Sequence, residues 1–206
     1  MISSKYNEYT FLTSDNHFQH ENIIKYSNRP FSSVKEMNEC MVENWNNSVT
    51  SDEYIVYDLG DVCLGYKETM RDIVSRLNGR IRLLKGNHEG VLNVAKDRFE
   101  WVKDYHEESF EINGNSQKIV MCHYPIEDWN CKNKKSWMIH GHSHGILPNK
   151  IPFRFDVGVD SVASYLTQKD RDSGLWNSIK NNPKHYRPIS LIELAEIFED
   201  DYAKSG

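Results

Sequence analysis

The chain has 206 residues, 38% hydrophobic and 27% charged, enough for one globular domain with a sizeable core. Its net charge of −5 supplies no global positive field, which disfavours long nucleic acid and acidic membrane surfaces as partners. No stretch approaches the roughly 18 apolar residues of a membrane span, and residues 1–8 lack the apolar core of a signal peptide, so a cytoplasmic location without membrane contact is expected.

In chain order, residues 9–14 predict a first strand, followed at once by Asp15 and His17. A short helix or turn over residues 20–26 precedes the loop Asn28-Arg29-Pro30-Phe31. Ser33, with Glu36 three residues on, reads as a capping box. It opens a helix to about Val49, with Val34, Met37, Met41, Val42 and Trp45 on one face. The run Tyr54-Ile-Val-Tyr-Asp-Leu-Gly60-Asp61 is apolar and rich in β-branched and aromatic residues, and stops at a glycine and a carboxylate. That pattern predicts a buried strand delivering an acid to a sheet edge, where open α/β sheets place their chemistry.

Residues 66–77 predict a second amphipathic helix, stopped by Asn78-Gly79. Residues 80–85 predict a third strand, ending in Gly86-Asn87-His88-Glu89. Strand–helix–strand spacing implies a parallel sheet. A helix over 91–99 is followed by strands at 101–105, 109–112 and 118–123, with Asn113-Gly114-Asn115 as a hairpin turn. Two more strands, 136–140 and 154–160, flank Gly141-His142-Ser143-His144-Gly145. Residues 161–188 form a polar excursion, with a short helix around 175–179, expected to be a mobile flap over the site. A helix over 190–198 closes the chain, and nothing marks a boundary, so residues 1–206 are expected to be one domain.

Seven polar side chains at the ends of predicted strands are ligand types for divalent cations: Asp15, His17, Asp61, Asn87, His123, His142 and His144. Two cations sharing one bridging carboxylate would use all seven. Asp15 and His17 are two apart, as are His142 and His144, so on an extended strand end each pair points one way. His20 either lines a phosphate pocket or assists proton transfer, or is a surface or N-capping histidine of the following helix; Arg29 either contacts phosphate or is solvated or salt-bridged. Lys132, Lys134 and Lys135 read as a solvated loop. The aromatic-rich stretch after His123, beginning at Tyr124, either walls a base or sugar pocket or packs in the core. Cys40, Cys63, Cys122 and Cys131 form no Cys-x-x-Cys pair and are expected to be reduced, mostly buried thiols.

Asp15-x-His17, Gly60-Asp61, Gly86-Asn87-His88-Glu89, His123 and Gly141-His142-x-His144 together resemble the five ordered blocks of the calcineurin-like metallophosphoesterases. The blocks span about three quarters of the chain. The context around them, with Arg29-Pro30-Phe31 and Tyr186-x-Pro188-Ile189-Ser190, is similar to a small bacterial and phage subgroup. The serine/threonine phosphatase branch follows Gly-Asp with an Asp-Arg-Gly pattern that Asp61-Val62-Cys63 lacks, which argues against phosphoprotein substrates. The resemblance implies an α/β fold of four layers, an αββα sandwich of two mixed sheets flanked by helices. It implies two divalent metal ions, one held by Asp15, His17, Asp61 and His144, the other by Asp61, Asn87, His123 and His142. Manganese is the first choice for this oxygen and nitrogen set; iron, zinc, nickel or cobalt would also fit.

The implied activity is hydrolysis of phosphate esters, foremost as a phosphodiesterase on small or cyclic nucleotides. A phosphomonoesterase, a nuclease or a non-catalytic metal-bound scaffold are the alternatives. Asp61 and His88 would be the catalytic residues, with His88 facing the substrate and protonating the leaving oxygen. Asn87, His20 and Arg29 would contact the small phosphorylated substrate.

Overall fold

The apolar runs become strands because both of their faces find a core. The computed structural model describes residues 9–148 and 150–204, with side chains to 199. The expectation about residues 1–8 lies outside the described residues. Thr10–Thr13 (β1), Ile55–Asp58 (β2), Arg80–Leu84 (β3) and Phe99–Lys103 (β4) lie side by side, all parallel. After β4 the chain crosses to a second sheet of Tyr105–Ile112 (β5), Asn115–Cys122 (β6), Trp137–His140 (β7) and Arg154–Asp156 (β8). There β5 and β6 form an antiparallel hairpin, while β6, β7 and β8 are parallel. The hairpin turn is Asn113-Gly114, both at positive φ, as a two-residue turn matched to strand twist demands. Ile189–Ser190 (β9) returns to the first sheet, antiparallel to β1, giving the order β4-β3-β2-β1-β9.

The helices are Ile23–Tyr26 (α1), Val34–Ser48 (α2), Lys67–Ser75 (α3), Leu92–Ala95 (α4), Val159–Asp172 (α5) and Leu191–Lys204 (α6). Side chains of the first sheet alternate between two clusters. Phe11, Val56 and Ile81 join Met41 and Trp45 of α2 and Ile73 of α3. Leu12, Tyr57 and Leu84 join Ile119 and Ile139 of the second sheet and Phe198 of α6. Two mixed sheets with helices packed against them make this an α/β sandwich.

Several expected elements differ, among them the strands expected at 101–105 and 109–112, which emerge as β4 and the single long strand β5. The helix over 91–99 is short: α4 passes into a 3-10 turn at Lys96–Arg98, and Phe99 already belongs to β4. The Arg98 side chain donates to the carbonyls of Val74, Leu77 and Gly79, which draws the chain off the helical path. The strand expected to reach residue 160 stops at Asp156, whose carboxylate accepts the N–H of Gly158, the residue before α5. The stretch 161–188 is not a single polar excursion, although residues 173–181 form a largely exposed loop. Its first part is α5, with Val162, Ala163 and Thr167 buried, and Tyr186 is fully buried further on. No helix forms at 175–179, because the Arg171 guanidinium holds the carbonyls of Ser178, Ile179 and Lys180 in a loop. The four cysteines are free thiols, Cys63 buried and the others half-buried. Among the described residues, no helix is long and apolar enough to cross a membrane.

Candidate metal centre

Parallel strands end on the same side, so β1, β2, β3, β6 and β7 all deliver their following loops to one edge. The loops are tied to one another by backbone hydrogen bonds. Asp15 N–H donates to Gly60 O and His17 N–H to Asp61 O, both at 2.9 Å; Gly141 N–H donates to His123 O at 2.9 Å and Val159 N–H to Ser14 O at 3.0 Å. Strand alternation does not aim the paired ligands, contrary to the sequence argument, since β1 ends at Thr13 and β7 at His140. Asp15, His17, Asp61, His142 and His144 instead adopt left-handed backbone, with φ of 54°, 50°, 56°, 66° and 47°. Such conformations cost energy in non-glycine residues and persist where the surroundings enforce them, characteristically at functional sites. Two glycines make the close approach possible. A Cβ on Gly86 would collide with the Asp61 carboxylate, and one on Gly141 with Ser14 and the Asp15 carboxylate.

The seven side chains converge. Asp61 Oδ2 lies 3.6 Å from His17 Nε2 and 3.8 Å from His123 Nε2. Asp15 Oδ1 lies 4.0 Å from His17 Nε2 and 3.9 Å from His144 Nε2. Asn87 Oδ1 faces two ring nitrogens, His123 Nε2 at 3.1 Å and His142 Nδ1 at 2.9 Å. Two triplets have ligand atoms within 4.8 Å of one another, Asp15–His17–His144 and Asp15–Asp61–His123, and either could hold a cation. The Asp15 carboxylate belongs to both, a sharing that the sequence reading assigned to Asp61 alone.

In four of these groups the other atom, or the second carboxylate oxygen, is engaged in a way that fixes orientation, whereas His17 Nδ1 is buried without a hydrogen-bond partner. His123 Nδ1 donates to Leu59 O at 2.7 Å, leaving Nε2 as the lone-pair nitrogen. His144 Nδ1 meets Asp160 Oδ2 at 2.7 Å, with the same consequence for its Nε2. Asp61 Oδ1 accepts the His88 N–H at 2.7 Å, and Asp15 Oδ2 accepts the His142 N–H at 2.8 Å. Asp15 Oδ1 is buried without a hydrogen-bond partner.

Charge bears on what the site could hold. Five aspartates are buried, namely Asp15, Asp58, Asp61, Asp156 and Asp160, against one buried arginine or lysine, Arg29, among the described residues. Burial, with the Asp156 charge adding to it, pushes the Asp15 carboxyl up to about 7. Burial, with nearby Arg29, pushes His17 down to about 2, so its ring is neutral and able to ligate. Burial works against protonation of His144, but the Asp160 hydrogen bond and the Asp15 charge hold it above its ordinary range. Buried carboxylates in this excess call for positive charge, and the orphaned Asp15 oxygen faces the imidazoles that would share a cation with it. The residues present therefore fit divalent cations.

At the mouth of the cluster stand the exposed Asn87, His88 and His142 and the half-buried His20. The rings of His20 and His88 are 5.3 Å and 5.9 Å from that of His17. Tyr124, half-exposed, packs edge-on against His123 and His142 and so borders the site.

Arg29 is not at the mouth, which corrects its assignment as a substrate contact. Its side chain has no exposure, and its donors go to Asp160 and to the carbonyls of Asp15 and Asn16. Sequence reasoning missed three acids beneath the ligands. Glu89 Oε1 accepts the N–H groups of Asp61 and Gly86, and Asp58 accepts from Gly60 N–H and Asn16. Asp156 accepts from Ser143, Gly145 and Gly158 and so shapes the loop that carries His142 and His144. For Glu89 and Asp58 the signal was position, within three residues of a glycine in a ligand-bearing loop; Asp156 ends a strand whose own loop carries no ligand.

No protein-family model matches the chain. An uncharacterized protein of Methanocaldococcus jannaschii is 39% identical over 192 residues, 92% of this chain and 90% of its own length. The chain belongs to the family of that archaeal protein. The gene 66 protein of Mycobacterium phage L5 is 26% identical over 199 residues, covering 82% of this chain and 95% of its own. Among solved structures, a protein of unknown function from Aquifex aeolicus shares the fold, with a TM-score of 0.59 at 23% identity over 91% of this chain and 98% of that one. An archaeal phosphodiesterase superposes at a TM-score of 0.40 and 18% identity, over 77% of this chain and 87% of its own, too loosely to bear on this one.

Proposed function

We propose that this protein is a calcineurin-like metallophosphoesterase, a cytoplasmic, single-domain phosphoric ester hydrolase that uses two divalent cations, manganese first among them, on small phosphodiesters such as nucleotides. One observation supports this above the others. Seven ligand-type side chains from five separate loops meet around the Asp15 and Asp61 carboxylates, where buried aspartates outnumber buried arginines and lysines among the described residues.

Asp15, His17, Asp61 and His144 would hold one cation, and Asp61, Asn87, His123 and His142 the other. Bound there, the cations would supply Lewis acidity at the phosphoryl oxygens and a source of hydroxide near neutral pH. The chain's own groups do the rest. Leu59 O and Asp160 set the tautomers of His123 and His144. His88, exposed and anchored through its backbone N–H to Asp61, would give a proton to the leaving oxygen. His20 and the Asn87 amide line the approach of a small substrate.

Turnover of bis-p-nitrophenyl phosphate by the manganese-loaded chain tests the proposal. Hydrolysis lost on chelation, with two ions per chain by elemental analysis, is the expected result. No turnover with any of the five candidate metals, or at most one ion after full reconstitution, would overturn it.

A further inference from the structure

Arg29 is a buried charge that the proposed chemistry leaves without a task, and its partner is Asp160, which holds the His144 ring. They form a closed pair: Arg29 Nε donates to Asp160 Oδ1 at 2.9 Å and Nη2 to Oδ2 at 2.8 Å, with the side chains 0% and 6% exposed. Arg29 also donates to two backbone carbonyls, Asp15 O from Nη2 and Asn16 O from Nη1, both at 2.8 Å. The guanidinium lies over the Tyr186 ring, 5.7 Å from its centroid, and Tyr186 meets Phe31 edge-on. Thus Arg29-Pro30-Phe31 and Tyr186, distant in the sequence, build one wall.

Asp160 Oδ2 has a second partner, His144 Nδ1 at 2.7 Å. That contact makes Nδ1 the donor and turns Nε2 toward Asp15 Oδ1, 3.9 Å away. One guanidinium therefore anchors the Asp15 backbone directly and the His144 ring through Asp160. A buried ion pair is a poor source of stability, because desolvation offsets much of the attraction. What this pair supplies is orientation, and only on one side of the site. His123, on the other side, is oriented by the Leu59 carbonyl and does not depend on it.

We infer that the Arg29–Asp160 pair is a positioning device for one cation site, that of Asp15, His17 and His144, and sets its affinity without touching cation or substrate. The inference rests on the two-cation reading above. Loss of such an outer partner typically weakens metal binding about 10–100-fold, and here the loss falls on one ion of the two.

Equilibrium dialysis of Mn2+ against the full chain tests this, with Asp160→Ala and the double substitution Arg29→Met with Asp160→Leu. The double variant replaces the whole pair by apolar side chains of similar size, a change that buried pairs often tolerate, and it carries the test if Asp160→Ala does not fold. Phe198→Leu, in the core between the sheets, serves as a control for lost stability. The wild type is expected to take up two ions. Both pair variants should keep one affinity and lose about 10–100-fold in the other, whereas the control should melt lower with both affinities intact. Two unchanged affinities in the double variant would overturn the inference while leaving the two-cation reading in place. A wild-type chain that takes up no manganese would overturn both.

Discussion

The two ends of the first sheet treat polar groups in opposite ways. At the N-terminal ends of β2, β3 and β4, polar side chains close on backbone. Arg98 donates to the carbonyls of Val74, Leu77 and Gly79, Asn78 Nδ2 to Val49 O at 3.0 Å, and Trp45 Nε1 to Asn78 O at 3.0 Å. At the C-terminal ends, carboxylates and imidazoles converge on one another, and Asp15 Oδ1 is left without a partner. The first end stabilises the chain with its polar groups fully engaged; the second keeps lone pairs free and holds them by left-handed backbone. An edge with such strain and such an excess of buried acid could hold a cation.

The comparison breaks most sharply at Asp61. Asp61→Asn should remove charge from between His17 and His123, with hydrolysis falling by ~10³-fold or more, roughly 4 kcal/mol of barrier. Elemental analysis should show both ions impaired, and full occupancy of both would rule out a bridging role. Chelation should likewise abolish turnover while circular dichroism stays near that of the loaded chain, since a core of this size forms without metal. Loss of the fold on chelation would make the centre structural.

His88→Ala sharpens the same edge. A nitrophenolate leaves readily without a proton, whereas an alkyl or sugar alkoxide does not. The variant should lose about 10²–10⁴-fold on a nucleotide or alkyl ester and far less on a nitrophenyl ester, with two ions still bound. Equal losses on the two esters would end the general-acid role.

The opposite edge should respond in stability alone. Arg98→Ala leaves three carbonyls short of a donor and should cost roughly 2–3 kcal/mol by denaturant unfolding, with metal content and turnover per folded chain unchanged. A loss of activity beyond the unfolded fraction would mean that the two edges are coupled. The smallest effect is expected at Arg71, whose pair with Asp97 is 56% and 70% exposed. Solvent screens such a pair, so Arg71→Ala should leave the melting midpoint unmoved; a clear drop would assign that surface a structural role.

The sequence by itself determined most of the strands and the identity of the converging residues. Alternating apolar runs that end in Gly-Asp or Gly-Asn-His-Glu are local patterns, and local patterns specify strands, their ends and the side chains placed there. It also carried the hairpin turn at Asn113-Gly114, because that turn type depends only on its two residues. Tertiary structure decided the rest. Whether residues 161–172 were flap or helix depended on a core for Val162 and Ala163 to enter, and polar composition alone pointed the wrong way. For Arg29 the sequence left a phosphate contact and a salt bridge both open, because nothing near it in the chain foretold Asp160, 131 positions on, which takes its charge into the interior. The left-handed backbone at Asp15, His17, Asp61, His142 and His144 was equally invisible. Few residue types prefer that conformation, and here it goes with hydrogen bonds between loops that meet only once strands distant in the sequence have paired.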